Sequence, residues 1–197
     1  DMNGFLDAMN QFKDEGKVKH IGVSNFSIDQ LQRAMRSSEA PIFTNQVEYH
    51  PYLLREELLK FCRNNDILLT AYSPLGRGLV LDDNVLTRVG ARHGKSTAQV
   101  SIRWLIQQDD VITIPKSAHK SRIIENYDVF DFELSDEEMA EIRKTRGPLR
   151  YELTKQGGPI PRLTGFVGPR LPKPVKTHII PYIAKLAGAT SGQGGNE

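Results

Sequence analysis

A chain of 197 residues, 39% of them hydrophobic and 25% charged, is long enough for one sizeable core and short for two. A net charge of +2 gives no general attraction to nucleic acid or to acidic membrane surfaces, so neither is expected as a partner. No apolar run approaches the roughly 20 residues of a membrane span, and the single cysteine, Cys62, excludes an intrachain disulfide and points to a reducing compartment, expected to be the cytoplasm.

Phe5, Leu6, Met9 and Phe12 have the spacing of an amphipathic helix over residues 3–14, closed by Gly16. A β-rich run over 18–23 ends in Ser24-Asn25-Phe26. Ser27 and Gln30 then form a capping box, in which the Ser side chain accepts from the third helical N–H and the Gln side chain reaches back. The helix it heads runs to about residue 37, with Ile28, Leu31, Ala34 and Met35 on one face. A strand is predicted over 42–49, a helix over 55–64 and a strand over 67–72. Cys62 lies in the apolar Leu58-Leu59-Lys60-Phe61-Cys62 and reads as a small buried hydrophobe rather than a nucleophile.

Residues 82–94 read as loop plus a short helix. Ser96 and Gln99 form a second capping box, heading a helix through residue 108 that carries Val100, Ile102, Trp104 and Leu105. A strand over 111–114 delivers Lys116 and Ser117, and a helix over 120–127 begins with Lys120 and Arg122. Read alone, this joint fits a phosphate socket, though residue chemistry by itself favours an ordinary strand–loop–helix connection with solvated cations. Ser135 and Glu138 cap a last helix ending near residue 145. From residue 147 the composition shifts. Seven of eleven prolines and nine of sixteen glycines lie in 147–197, which reads as a basic, irregular and partly disordered tail with one apolar stretch over 178–186.

Strands and helices thus alternate four times, and the strands are short and nearly all apolar, as in parallel α/β sheets buried on both faces. The polar residues cluster at the strands' C-terminal ends, the rim that builds the active site of a (β/α)8 barrel. A Rossmann-type sheet requires G-x-G-x-x-G after a strand, and Gly76-Arg-Gly78 lacks the third glycine, so the barrel is preferred. His20, His93, His119 and His178 show no metal-ligand spacing, and no metal is expected.

Four segments carry a family resemblance. They are Gly16-Lys-Val-Lys-His-Ile-Gly-Val-Ser-Asn-Phe26, Asn45-Gln-Val-Glu-Tyr-His-Pro51, Thr70-Ala-Tyr-Ser-Pro-Leu-Gly76, and Ile114-Pro-Lys-Ser117 with Arg122, Glu125 and Asn126. In that order and spacing they resemble successive signatures of the aldo-keto reductases, over about residues 3–146. The resemblance implies an NADP(H)-binding (β/α)8 barrel. This chain would hold about the last four βα units as a domain of residues 1–146, followed by the tail.

The resemblance also implies a role for each site residue. Ser24, Asn25 and Gln46 would hold the nicotinamide carboxamide, whose mixed donors and acceptors suit those side chains. Tyr72 would stack on the nicotinamide ring. Ser73, Leu75 and Gly76 would line the pyrophosphate, Lys116, Ser117 and Arg122 would grip the 2′-phosphate, and Glu125 and Asn126 would face the adenine. The implied activity is NADP(H)-dependent reduction of an aldehyde or ketone to an alcohol, with a small carbonyl or alcohol as substrate.

In that family a tyrosine donates the proton, assisted by a lysine, an aspartate and a histidine. No residue here occupies a matching motif, so none is assigned as catalytic. His50 is expected to support the site structurally. The chain opens at Asp1 inside what reads as a helix, which suggests a fragment that is unstable alone or pairs with a complementary half or a second copy. A non-catalytic NADP-binding regulatory subunit and a truncated inactive homologue are the alternatives.

Overall fold

The computed structural model describes residues 2–147; the predicted tail, with its apolar stretch at 178–186, lies outside the described residues. Helix α1 (Met2–Asp14) leads to strand β1 (Ile21–Ser24), then α2 (Ile28–Ser37) and β2 (Ile42–Glu48). Next come α3 (Glu56–Arg63), β3 (Leu68–Tyr72), a 3-10 segment (Gly76–Asp82), α4 (Asn84–His93) and α5 (Thr97–Ile106). Strand β4 (Val111–Thr113), α6 (Lys120–Tyr127) and α7 (Asp136–Arg143) complete the described part.

All three predicted capping boxes form, at Ser27, Ser96 and Ser135. Each satisfies two amides that would otherwise be orphaned, an effect worth on the order of 1 kcal/mol per cap. Two boundaries differ from the sequence pattern. Residues 18–20 stay outside the sheet, because the backbone N–H groups of Lys17 and Val18 both donate to the Phe12 carbonyl at the end of α1 (2.9 and 3.3 Å). The region 82–94 is more regular than loop plus short helix: Asp83 accepts from the amides of Val85 and Leu86 and caps a ten-residue helix.

The strands form one parallel sheet in the order β1-β2-β3-β4. Register pairs Ser24 with Gln46, Gln46 with Thr70 and Thr70 with Ile112, while Tyr72 pairs with Glu48. The strand ends that carry the polar residues are therefore side by side.

Leu6, Ile21, Val23, Leu31, Ala34, Ile42, Cys62 and Ile67 form a buried cluster between the sheet and its first helices. Burying one such large aliphatic side chain contributes about 1.5–3 kcal/mol. Cys62 is fully buried there, as its sequence context predicts, and burial pushes its thiol pKa up to about 11. Met35 is the exception among the residues predicted for the buried face of α2, at 38% exposed.

Among the described residues one face of the sheet is left open, as half of a barrel implies. Phe43, Ile112 and Ile114 are 40%, 45% and 46% exposed, and burial alternates along β1 and β2. The helices cover one face, so apolar side chains on the other face meet no second layer among the described residues. Strands β1 and β4 each pair on one side only among the described residues. Helix α6 buries no residue, and Ile123, Ile124 and Tyr127 stand open on it. No helix of the described residues is long and apolar enough to cross a membrane.

Candidate functional site

The rim at the C-terminal ends of β1, β2 and β3 is a chain of hydrogen bonds. The Ser24 hydroxyl and the Asn25 backbone N–H both donate to the Gln46 carbonyl, at 3.1 and 2.8 Å. Asn25 Nδ2 donates to Ser24 Oγ (3.2 Å), and the Tyr72 hydroxyl donates to Asn25 Oδ1 (3.1 Å). Ser24, Asn25 and Tyr72 are thus brought into direct contact. Gln46 joins through its backbone and leaves its amide side chain without a hydrogen bond among the described residues.

Two of the turns that leave the strands use left-handed backbone, at Asn25 (φ 57°) and Ser73 (φ 51°). Asparagine tolerates that conformation; for serine it costs roughly 1–2 kcal/mol, which the surrounding structure must offset.

Asn45 is a residue whose role the sequence did not disclose. It is fully buried, its Nδ2 donates to the Phe26 carbonyl (2.9 Å), and its Oδ1 accepts from the Phe26 N–H (3.3 Å). It clamps the turn that presents Asn25. Its place next to Gln46 in the second motif was the available signal.

Beyond Tyr72 the rim opens into a cavity of about 470 Å³. One wall is the β3 exit, with Ser73 and Leu75; the other is the β4–α6 joint, with Lys116, Ser117, Arg122, Glu125 and Asn126. Gly76 is not on the lining. It is buried at φ +53°, backbone that favours glycine, while an added Cβ would meet the His50 ring at 3.4 Å, an ordinary contact, so the requirement is conformational. A third cation lines the cavity too: Arg77, which none of the four motifs includes.

The cavity is electropositive. Lys116 and Arg122 are exposed and in no ion pair among the described residues. The one carboxylate on the lining, Glu125, accepts from the Ser96 hydroxyl at 2.5 Å and so ties α6 to the start of α5. The N-cap of α6, His119, makes no side-chain cap, so the first-turn amides add their partial positive charge.

Burial displaces the pKa values of the titratable groups nearby. Burial, then the positive Arg55 and Arg77, push the His50 pKa down to about 4, leaving it neutral near pH 7 beneath the Gly76 turn. Burial pushes the Tyr49 pKa up to about 12 while its hydroxyl donates to Gln108 Oε1 at 2.6 Å. Tyr52 is raised as well, by burial and by its hydrogen bond to Asp83. Among the described residues no three His, Cys, Asp or Glu side chains converge as a metal site would need. His93 has an acidic partner that sequence spacing did not show: its Nε2 lies 2.9 Å from Glu138 Oε2, across α4 and α7.

Residues 1–146 match the Aldo/keto reductase family. The chain belongs to that family. Among similar proteins, glyoxal reductase of Bacillus subtilis is 47% identical over 135 residues, covering 68% of this chain and 49% of the relative. Aldose reductase B of Dictyostelium discoideum is 42% identical over 144 residues, covering 72% of this chain and 46% of the relative. A solved structure of a Gox0644 variant in complex with NADPH superposes with a TM-score of 0.67 at 38% identity, covering 70% of this chain and 51% of that one. This aldo/keto reductase chain therefore spans about half the length of the relatives it matches. The family fold is a (β/α)8 barrel, and the parallel four-stranded sheet with its intervening helices has the matching α/β character.

Proposed function

We propose that this chain is the cofactor-binding part of an NADP(H)-dependent carbonyl reductase, forming the last four βα units of the barrel. The observation that carries the reading is the continuous polar rim. An amide-and-hydroxyl cluster at Ser24, Asn25, Gln46 and Tyr72 leads into a cavity where Lys116 and Arg122 stand without counterions among the described residues. That sequence of chemistries suits a ligand with a carboxamide and aromatic ring at one end and a phosphate group at the other.

In this reading Ser24, Asn25 and Gln46 orient the carboxamide and Tyr72 fixes which face of the ring is presented. Ser73, Leu75 and Gly76 approach the pyrophosphate. Lys116, Ser117 and Arg122 select for a 2′-phosphate, with Glu125 and Asn126 by the adenine. The bound nicotinamide would supply a hydride to an aldehyde or ketone, and no residue described here is assigned to the proton transfer. The NADPH complex among the structural neighbours supports the cofactor class. Cys62, the sole cysteine and reduced in a buried site, accords with a cytoplasmic setting.

The two sheet edges and the apolar face that the described residues leave open support a second part of the proposal: a complementary half-barrel or a second copy completes the sheet. The cofactor reading is tested by titrating the chain with NADPH and NADH under Trp104 and cofactor fluorescence. Saturable binding with NADPH preferred is expected; absence of NADPH binding to the protein completed by its partner overturns it. Sedimentation at micromolar concentration tests the pairing, and a well-folded monomer with cooperative unfolding sinks it.

A further inference from the structure

The β4–α6 wall of the cavity has no anchor in the core: no residue between Val111 and Val129 is buried. Helix α6 leaves Ile123 and Ile124 exposed, so apolar packing does not fix its position. What holds it among the described residues is a set of donors at the start of α5. The Ser96 hydroxyl accepts from the Gln99 N–H (3.3 Å) to cap α5 and donates its own proton to Glu125. The Gln99 amide is divided in the same way. Its Oε1 accepts from the Ser96 N–H (2.9 Å), and its Nε2 donates to the carbonyl (2.7 Å) and the carboxylate (3.0 Å) of Asp128, the C-cap of α6.

Lys95 closes the joint. Its Nζ donates to Asp128 Oδ2 at 2.9 Å and to Asp131 Oδ2 at 2.8 Å, and it lies 5.5 Å from the centroid of the Phe132 ring. Only 9% of its side chain is exposed, so this ammonium is enclosed by its partners rather than solvated. It also faces the negative end of α6, with the Asp128 carbonyl at 3.4 Å. The clamp is built on the α4–α5 corner: Lys95 follows Gly94, the left-handed C-cap of α4, and its N–H donates to the Gly90 carbonyl (2.9 Å). None of Lys95, Gln99 and Asp131 lines the cavity.

Resting on the cofactor reading above, we propose that Lys95 is a positioning residue for the cofactor: by clamping Asp128 and Asp131 it sets where α6 stands, and with it where Arg122 and Asn126 meet the ligand. Without the clamp, binding must order the helix as well as the ligand. Charge alone would also link Lys95 to an anionic ligand, but the two effects differ in sign at Asp131. Through charge, Asp131→Asn removes a negative group and tightens binding. Through position, it loosens Lys95 and weakens binding.

The test is the NADPH dissociation constant, measured by fluorescence on the protein completed by its partner and on its variants, together with hydrogen exchange of residues 120–127. Lys95→Met and Asp131→Asn should each weaken NADPH by roughly 3- to 30-fold, the range for residues that act without touching the ligand. The double variant should lose little more than Lys95→Met alone. Lys95→Arg, which keeps a cation within reach of both carboxylates, should recover most of the loss. Exchange in α6 should quicken in both single variants while β2 and β3 stay protected. Circular dichroism checks the fold, and Asp131→Asn, at an exposed side chain, is the milder of the two changes. The proposal is overturned if Asp131→Asn tightens NADPH or leaves it unchanged, or if α6 exchange in Lys95→Met matches that of the unaltered protein. If the unaltered protein does not bind NADPH, the cofactor reading fails and this inference with it. If it binds NADPH normally and only the variant results fail, the cofactor reading stands.

Discussion

Removing the charge of Lys116 or Arg122 is the perturbation that best isolates the 2′-phosphate contact. Both side chains are exposed and free of ion pairs among the described residues, so truncating either breaks no internal bridge. The apo protein should therefore unfold at nearly its original temperature, within about 0.5 kcal/mol of its original stability, as for surface positions generally. Binding is another matter. A hydrogen bond to a charged group contributes about 1.5–3 kcal/mol, and because each 1.4 kcal/mol is tenfold, each single variant should lose roughly 10- to 100-fold in NADPH affinity. NADH affinity should hardly move.

The two cations share one cavity wall, so the double variant should fall short of the product of the singles. Raising the salt from 50 to 500 mM should shrink the NADPH preference of the original protein and leave that of the double variant flat, because exposed charges are screened within about 10 Å at 0.1 M. Isothermal titration with both cofactors measures all of this. An unchanged NADPH-to-NADH ratio in Lys116→Ala and Arg122→Ala refutes the assignment.

Three further outcomes follow from the packing. Gly90→Ala should destabilise the fold by about 2–4 kcal/mol in urea unfolding, since the added Cβ would lie 2.3 Å from the Lys95 carbonyl oxygen; helix propensity alone predicts a gain of up to about 1 kcal/mol, so the sign decides between them. Asn45→Ala should cost about 2–3 kcal/mol, because it strands both backbone groups of Phe26 and loosens the Asn25 turn; unchanged stability together with unchanged cofactor affinity would count against the clamp. His50 is held neutral with its pKa lowered from 6.5 to about 4, so below pH 6.5 the unfolded chain binds the extra proton first. Its contribution, on the order of 3 kcal/mol, is fully present above pH 6.5 and drains away as the pH falls toward 4. Unfolding free energies at pH 7 and pH 5 that coincide would refute this.

Much of the local structure was legible in the chain because its signals are short-range. Ser27-Gln30, Ser96-Gln99 and Ser135-Glu138 state their helix starts within four residues, and each forms the reciprocal bonds its spacing implies. The four motifs likewise placed Ser24, Asn25, Tyr72, Ser73, Leu75, Lys116, Ser117, Arg122, Glu125 and Asn126 on one rim, since a parallel sheet with short crossovers aligns all its C-terminal ends. Where local signals compete, sequence pattern and structure part. Residues 18–20 have strand composition, yet the end of α1 holds the backbone N–H groups of Lys17 and Val18. Asp83 was an unmarked N-cap because its cap lacks the reciprocal Gln or Glu.

Sequence by itself therefore determined the element order, the parallel α/β class and the composition of the rim, all of which depend on neighbours within one or two turns of chain. Tertiary structure alone decided three things. It revealed that Asn45 braces the Asn25 turn from beneath, and that Arg77 stands across the cavity from Lys116 and Arg122 while leaning on Glu48. It also revealed which apolar side chains of the sheet the described residues leave uncovered. These depend on distances between residues 19 to 45 positions apart in the chain, and such distances exist only once the strands have paired.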